Sequence, residues 1–159
     1  MGKEAKKNLT VRKMAASDLK AVRQIEQESF RELWTCETWL AEINAALATY
    51  FVLERKKAII GFAGYWLVAG EAQVIRIAVK TNERGKGLGR FIADAMVRSA
   101  WQEDAEAVTL EVRKSNAPAI RTYERVGFSA AGVRPRYYDD GEDAVIMWLY
   151  RQRTGESDG

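Results

Sequence analysis

The chain has 159 residues, of which 47% are hydrophobic and 30% are charged, and its formal net charge is +3. This composition predicts one globular domain with a hydrophobic core, and the small excess of positive charge favours an anionic ligand without indicating a surface for nucleic acid. The sequence contains no histidine, and Cys36 is its only cysteine. These absences exclude Ser-His-Asp and Cys-His nucleophilic pairs, histidine-built metal sites and an internal disulfide.

The two ends of the sequence are predicted to be short tails, residues 1–8 and 152–159, on either side of a single domain at 9–151. The N-terminal tail lacks the apolar segment of a signal peptide, and Lys6 stands where a myristoylation signal requires Ser or Thr. The longest uncharged apolar run, Ala58 to Gly70, is shorter than the ~20 residues of a membrane span. Together with the single cysteine, these features predict a cytoplasmic protein without a membrane segment.

Hydrophobic periodicity in the first half of the chain predicts a strand, two helices and three further strands. The strands are expected at Leu9–Met14, Tyr50–Arg55, Ala58–Val68 and Gln73–Val79. Ser17 or Asp18 is expected to cap the first helix and Thr35 the second, because these side chains accept hydrogen bonds from the free N–H groups of a first turn. Leu19, Val22 and Ile25 fall on one face of the first helix, and the second helix carries Trp39, Leu40 and Ile43.

Helices and strands alternate in the second half. One helix begins at Leu88 after three glycines, and another, capped by Ser115 or Asn116, ends at Gly127. The remaining strands are expected at Ala107–Arg113, Phe128–Arg136 and Asp143–Tyr150. The complete order is β-α-α-β-β-β-α-β-α-β-β, which predicts an α/β (α+β) fold with a mixed sheet and helices packed against it.

The segment RGKGLGR at 84–90 joins a predicted buried strand to a helix. Its glycines let the backbone approach a ligand closely, and the helix N-terminus and the basic side chains add positive potential. The segment lacks the Gly-Lys-Ser/Thr of a P-loop and the third glycine of a dinucleotide-binding fingerprint. A turn without a ligand is the structural alternative, but the coincidence of strand, glycines, basic residues and helix favours a phosphate-bearing ligand, in particular a diphosphate.

This segment resembles the Arg/Gln-x-x-Gly-x-Gly/Ala signature of the GCN5-related N-acetyltransferases (GNAT), in which the loop holds the pyrophosphate of coenzyme A. The preceding IRIAV at 75–79 resembles the central strand of that family, whose backbone pairs with the pantetheine arm. The resemblance extends from about Leu9 to Leu149 and implies a GNAT-like fold that uses acetyl-CoA as co-substrate and no metal. It implies that the coenzyme is bound by Ile77, Ala78, Val79, Arg84, Gly85, Lys86, Gly87, Leu88, Gly89 and Arg90.

Two residues after the glycine segment have side chains suited to proton transfer. Glu111 is predicted in the middle of a strand and Tyr123 about two turns into the next helix, so both can reach one cleft. A solvated sheet face and a packed helical tyrosine are the more common explanations of such residues. The block LEVRKSN…Y…GF at 110–128 resembles the RimI-like branch of GNAT, whose members acetylate protein N-termini. That resemblance implies Glu111 as general base, Tyr123 as general acid and Asn116 as a coenzyme contact.

Two further segments are predicted to line the acceptor site. RPRYYDDGEDAVIM at 134–147 resembles the Tyr-Tyr…Gly-x-x-Asp-Ala-x-x-Met end of RimI-like enzymes, so Tyr137, Tyr138 and Glu142 are expected to line a pocket for a cationic amine and an extended peptide. A tyrosine-rich hairpin with a polar turn is the structural alternative. FRELW at 30–34 resembles the Phe-x-x-Pro-Trp segment at the peptide entrance, but Leu33 replaces the proline, so the peptide preference is less well determined than the chemistry.

The resemblance implies an acetyl-CoA-dependent N-acetyltransferase whose acceptor is a protein N-terminal α-amine, foremost the N-terminal alanine of a small-subunit ribosomal protein. Direct transfer in a ternary complex is expected, because no base activates Cys36 as a nucleophile. The expected partners are acetyl-CoA and a protein N-terminus, with no membrane and no direct nucleic acid. Acetylation of lysine side chains or small polyamines stays open, as does, from another class, a non-catalytic coenzyme A-binding module or a basic ribosome-associated protein.

Overall fold

A computed structural model describes residues 7–152, so the predicted tails lie outside the described residues except for their innermost positions. Within 7–152 the strands are Leu9–Lys13 (β1), Ala48–Arg55 (β2), Ala58–Val68 (β3), Glu71–Val79 (β4), Ala107–Arg113 (β5), Ser129–Arg134 (β6) and Ala144–Tyr150 (β7). The α-helices are Leu19–Ser29 (α1), Cys36–Asn44 (α2), Leu88–Gln102 (α3) and Ala117–Val126 (α4). Short 3₁₀ turns at Ala16–Asp18 and Thr81–Glu83 precede α1 and α3. The predicted order of elements and the predicted fold class are confirmed.

The strands form one sheet in the order β1-β2-β3-β4-β5-β7-β6. All neighbouring strands are antiparallel except β4 and β5, which are parallel. A parallel pair needs a long crossover, and here that crossover is the glycine segment followed by α3. The crossover therefore places the glycine segment at the end of the central strand β4.

Helices cover both faces of the central strands. Tyr50 and Val52 of β2 pack with α1 and α2, whereas the alternate residues Phe51 and Leu53 belong to the core under α3. Because successive side chains of a strand point to opposite faces, a strand buried on both sides is hydrophobic throughout. This explains why the β2 sequence shows no alternation of polar and apolar residues.

The capping predictions are confirmed for two helices and wrong for one. Thr35 accepts a hydrogen bond from the Thr38 N–H at 3.1 Å, and Asn116 accepts one from the Ala119 N–H at 3.2 Å. No side-chain cap begins α1. Instead the Asp18 carboxylate accepts from two nitrogens of Arg12, each at 2.8 Å, and from the Ala15 N–H at 2.8 Å. The Asp18 carboxylate, which the sequence pattern assigns to the helix N-terminus, is thus bound by the guanidinium of Arg12 on β1.

The apolar residues of the first two helices pack against one core, apart from one. Leu19, Val22, Ile25 and Trp39 are buried, and Ile43 packs against the same core. Leu40 is exposed. Because successive helical residues are turned by about 100°, burying Trp39 fully leaves its neighbour at the margin of a short helix.

Candidate active site

The parallel strands β4 and β5 pair over only a short stretch and then separate. Their register joins 71–73 to 107–109, although β4 continues to Val79 and β5 to Arg113. Ile75 is an extra residue in β4, because Gly64 of β3 pairs with Arg76 whereas Tyr65 pairs with Val74. Such a bulge bends its strand and increases the local twist. The separation leaves an opening whose β4 wall carries backbone donors and acceptors unpaired by any strand of residues 7–152.

The predicted coenzyme contacts on β4 line this opening through their backbone. Ala78 and Val79 have buried side chains, and Ile77 is half-buried. On the other edge they pair with Ala63, Phe62 and Gly61 of β3. An extended ligand with amide groups could therefore add to this edge as a strand does.

The glycine segment forms the end of the opening that adjoins α3. Gly85 and Gly87 have φ of +77° and +78°, and Gly87 lies immediately before the first residue of α3. A Cβ added at Gly85 would meet no heavy atom within 4 Å, so its surroundings are open. Leu88 is buried in the core, so only its N–H can face the open side. Free N–H groups at the start of a helix bind anionic groups, and phosphates in particular.

Gly89 differs from the other two glycines because it lies within the first turn of α3. An added Cβ would lie 3.8 Å from Thr122 Cγ2, which is ordinary van der Waals contact. The fold therefore requires positive φ at Gly85 and Gly87 but has room for a side chain at Gly89. A need for glycine at position 89 would come from a ligand.

The basic residues of the segment are held to different degrees. Arg84 turns back toward the fold, where Nε donates to the Val79 carbonyl at 3.1 Å and Nη2 donates to Ser29 Oγ at 2.8 Å. Lys86 lies 3.4 Å from Glu83, and Arg90 lies 3.9 Å from Asp94 with 54% of its side chain exposed. Arg84 therefore fixes the base of the segment, whereas Arg90 is the most exposed cation of the segment outside that attachment.

Glu111 lies in the middle of β5, as predicted, with 27% of its side chain exposed. Arg134 Nε on β6 is 3.5 Å from its carboxylate. Burial and the nearby Glu111 carboxylate raise the pKa of Tyr137. The carboxylate is therefore open to solvent on one side and adjoins the segment between β6 and β7 on the other.

Tyr123 lies on α4 and is partly buried against Phe128, with ring centroids 5.9 Å apart and planes at 65°. Its hydroxyl makes no hydrogen bond within residues 7–152. Burial raises the pKa of this hydroxyl, and the neighbouring Tyr138 adds to the effect. Tyr123 therefore keeps its proton at neutral pH and has a hydroxyl free to donate it.

Residues 135–143 carry two tyrosines that interact with the predicted base and the predicted acid. The Tyr137 and Tyr138 rings meet edge to face with centroids 5.0 Å apart, Tyr137 lies near Glu111, and Tyr138 acts electrostatically on Tyr123. Burial raises the pKa of Tyr138 to about 12. No hydrogen bond within residues 7–152 connects Glu111 directly to Tyr123. The predicted base and the predicted acid are therefore related through the Tyr137–Tyr138 pair.

Arg113 anchors this segment, and the sequence analysis did not identify it. Its Nη1 donates to Asp140 at 2.9 Å and to Glu142 at 2.9 Å, and its guanidinium lies 4.1 Å from the centre of the Tyr138 ring. Glu142 also accepts from the Ser115 N–H at 2.8 Å. Both oxygens of Glu142 are therefore engaged in holding the segment. Its predicted role with a substrate amine stays a prediction.

The remaining predicted coenzyme contact, Asn116, uses its side-chain oxygen to cap α4, so its amide NH₂ is the group left for a ligand. Within residues 7–152 no cluster of Cys, Asp or Glu is arranged to hold a metal ion. None of the helices in that range is long and apolar enough to cross a membrane.

The chain is similar to known proteins over most of its length. The profile of the family described as "Acetyltransferase (GNAT) family" matches residues 19–128. A Bacillus subtilis protein, provisionally named as a ribosomal protein bS18-alanine N-acetyltransferase, is 38% identical over 91% of this chain and 97% of its own length. The Escherichia coli ribosomal protein bS18-alanine N-acetyltransferase is 32% identical over 88% of this chain and 96% of its own length.

Solved structures show the same similarity. The crystal structure of the ribosomal-protein-S18-alanine N-acetyltransferase from Escherichia coli matches with a TM-score of 0.83 at 33% identity, over 93% of this chain and 97% of that one. Ard1 from Thermoplasma volcanium matches with a TM-score of 0.85 at 28% identity, over 92% of this chain and 99% of that one. The chain therefore belongs to the GNAT family of acetyltransferases, as its glycine segment and central strand predict.

Proposed function

We propose that this protein transfers the acetyl group of acetyl-CoA to the N-terminal α-amine of a protein, namely the N-terminal alanine of the small-subunit ribosomal protein bS18. The relatives named for that reaction support the substrate, because they match this chain over nearly its whole length. A ribosomal protein as acceptor places the reaction in the cytoplasm, where the ribosome is assembled.

The observation that carries the proposal is the opening between β4 and β5. It begins at the glycine segment and runs along the free edge of β4, and we infer that it ends at a cleft between Glu111 of β5 and Tyr123 of α4. A coenzyme whose diphosphate lies at the glycines and whose amide-bearing arm lies along β4 would present its thioester at that cleft. Bound there, acetyl-CoA would supply an activated acetyl group on sulfur.

The proposed roles of the two side chains follow from their surroundings. Glu111 is partly exposed and can accept the proton of the acceptor ammonium, directly or through a water. An α-ammonium has a pKa of about 7.7–8.0, against about 10.4 for the lysine side chain. A carboxylate therefore removes the proton of an N-terminal ammonium more easily than that of a lysine. Tyr123 is protonated at neutral pH, as tyrosines ordinarily are, and can donate its proton to the departing thiolate. Within residues 7–152 no base is hydrogen-bonded to the Cys36 thiol, so direct transfer between two bound substrates is proposed.

The acceptor is proposed to lie against residues 135–143. Tyr137 is 49% exposed, so its ring is available to an extended peptide. Tyr138 is held by the Arg113 guanidinium, and the segment is therefore ordered before a peptide binds. Such preorganisation reduces the conformational entropy lost on binding.

Mass spectrometry of peptides incubated with the protein and acetyl-CoA tests the proposal. One peptide carries the N-terminal sequence of bS18 with a free terminal alanine, and a matched peptide has that terminus blocked and an internal lysine. Acetylation confined to the free alanine is expected. Equal modification of the internal lysine, or of a polyamine in a parallel reaction, would refute the acceptor. Calorimetric coenzyme A binding without turnover of any amine would instead indicate a binding module.

A further inference from the structure

A buried ion pair joins α1 to β4 on the side of the sheet that α1 and α2 cover. Arg76 Nη1 donates to Glu26 Oε2 at 3.0 Å, and the two side chains are only 9% and 1% exposed. Glu26 also accepts hydrogen bonds from the Trp34 backbone N–H at 3.0 Å and from Trp39 Nε1 at 3.2 Å. The cost of removing two charges from water offsets much of their attraction, so net stabilisation alone does not account for such a pair.

The arginine of this pair fastens the loop between α1 and α2, residues 30–35. Nη2 of Arg76 donates to the Glu32 backbone carbonyl at 2.8 Å. The same guanidinium lies between two rings, 4.4 Å from the centre of Phe30 and 4.3 Å from that of Trp34. It therefore holds the beginning, the middle and the end of the loop at once.

The same loop faces the cleft from its other side. Arg31 Nη1 lies 3.3 Å from Asp140, and Glu32 lies beside Asp139. The charge of Glu32 also acts on Tyr137. Arg76 itself follows the bulge where β4 leaves β5. The 30–35 loop thus spans the site from the edge of β4 to the segment proposed to meet the acceptor.

We propose that Glu26 and Arg76 are positioning residues that hold the 30–35 loop as one wall of the acceptor site, and that they set the affinity for the acceptor and not for the coenzyme. This inference rests on the proposed function. The glycine segment has its own attachments, from Arg84 to Val79 and Ser29, so loosening the 30–35 loop leaves the coenzyme end of the site in place.

Arg76→Lys tests the proposal, because lysine keeps the charge but lacks the planar fork that bonds two acceptors and stacks between rings. We expect the KM for the acceptor peptide to rise at least about tenfold, while the KM for acetyl-CoA stays within about twofold. Hydrogen exchange of the backbone at 31–35 is expected to accelerate, since the Trp34 N–H bonds to Glu26. A merely structural role would not separate the two KM values.

Two companion variants keep the test decisive. If Arg76→Lys fails to fold, the double variant Glu26→Gln, Arg76→Gln takes its place, because it leaves no unpaired charge in the core. We expect it to show the same separation of the two KM values. Arg12→Gln opens the arginine–carboxylate pair with Asp18, next to the β1 edge of the sheet, and is expected to lower the melting temperature without changing either KM.

The proposal is overturned if folded variants at position 76 keep the peptide KM within about twofold of wild type, or if both KM values rise together. Unchanged exchange at 31–35 would also overturn it. The exchange measurement needs no turnover. A wild-type protein that acetylated no amine would therefore refute the proposed function, while the attachment of the loop would still be measured.

Discussion

Replacing Tyr123 by phenylalanine removes one hydroxyl and leaves the rest of the side chain in place. The ring keeps its edge contact with Phe128, at 5.9 Å between centroids. Within residues 7–152 the hydroxyl has no hydrogen-bond partner, so none is left unpaired by the change. The free energy of unfolding is therefore expected to change by less than about 0.5 kcal/mol. Any large effect on turnover must come from the reaction.

The expected loss of turnover follows from the role assigned to that hydroxyl. Removing a positioned general acid lowers the rate on the order of 10²–10⁴-fold, which is roughly 3–5 kcal/mol of transition-state stabilisation. Because burial keeps Tyr123 protonated, this loss should be nearly constant from pH 6 to 9. Acetyl-CoA binding, by contrast, is expected to stay close to wild type.

The assay follows release of the coenzyme A thiol at saturating acetyl-CoA and peptide, with single-turnover measurements to show that chemistry limits the rate. Tyr150→Phe is the matched control, because it makes the same substitution at an exposed tyrosine at the end of β7. A Tyr123→Phe variant with kcat near wild type, under conditions where chemistry is limiting, would refute the acid role. Tyr123 would then be a packing residue of α4.

Three further predictions concern the base, the glycine segment and residues 135–143. Glu111→Gln should lower kcat/KM, and the deficit should shrink as pH rises through the α-amine pKa of about 8, which a pH–rate profile would show; a constant deficit contradicts the base role. Gly89→Ala should fold normally, because the added Cβ has room, and yet raise the acetyl-CoA Kd measured by calorimetry, whereas unchanged affinity would remove the segment from the site. The Ser115 N–H and the Arg113 guanidinium lower the pKa of Glu142 in the folded protein. The hydrogen bonds of Glu142 therefore stabilise the fold at pH values above the pKa of about 4.3 that glutamate has in the unfolded chain, and this stabilisation is lost as pH falls through the lower pKa of the folded state. The hydrogen-exchange protection factors at 136–142, which are corrected for the intrinsic effect of pH on exchange, should therefore fall in acid. Glu142→Gln should lower these protection factors at neutral pH, and equal protection factors at both pH values would contradict this.

The order of helices and strands is predictable because local signals agree with the packing. Thr35 and Asn116 cap the helices that the sequence pattern places after them, and the alternation of Val108, Leu110 and Val112 matches a strand covered on one face. The one wrong cap, at Asp18, fails because Arg12, six positions earlier on β1, offers the carboxylate two hydrogen bonds in place of one. Capping rules consider the residues of the helix and its cap and do not include a competing side chain on a strand.

The candidate site is predictable in its residue types but not in its internal contacts. The bulge at Ile75 bends β4, yet β4 itself contains no glycine or proline to mark it, and Gly64, which lies opposite the bulge, is on β3. Arg84 is a plausible phosphate ligand until the fold brings Ser29, 55 positions earlier in the chain, to its guanidinium. The ion pair of Arg76 is equally hidden from sequence analysis, because its partner Glu26 lies 50 positions earlier in the chain. Charged residues in a strand are assigned to solvent unless the tertiary structure supplies a partner.

The short ladder between β4 and β5 divides the sheet into two half-sheets, one of β1 to β4 and one of β5, β7 and β6, joined by three pairs of residues. A coenzyme lying along β4 would act as a partial extra strand and bridge the two halves. Its binding energy would then oppose their separation, and at a hundredfold excess over Kd it would add about 2.7 kcal/mol to the free energy of unfolding. Protection from hydrogen exchange should rise on both walls of the opening, at 74–79 and at 110–113, in the same titration. The protein would thus gain cooperativity between its halves only in the state that is ready to react.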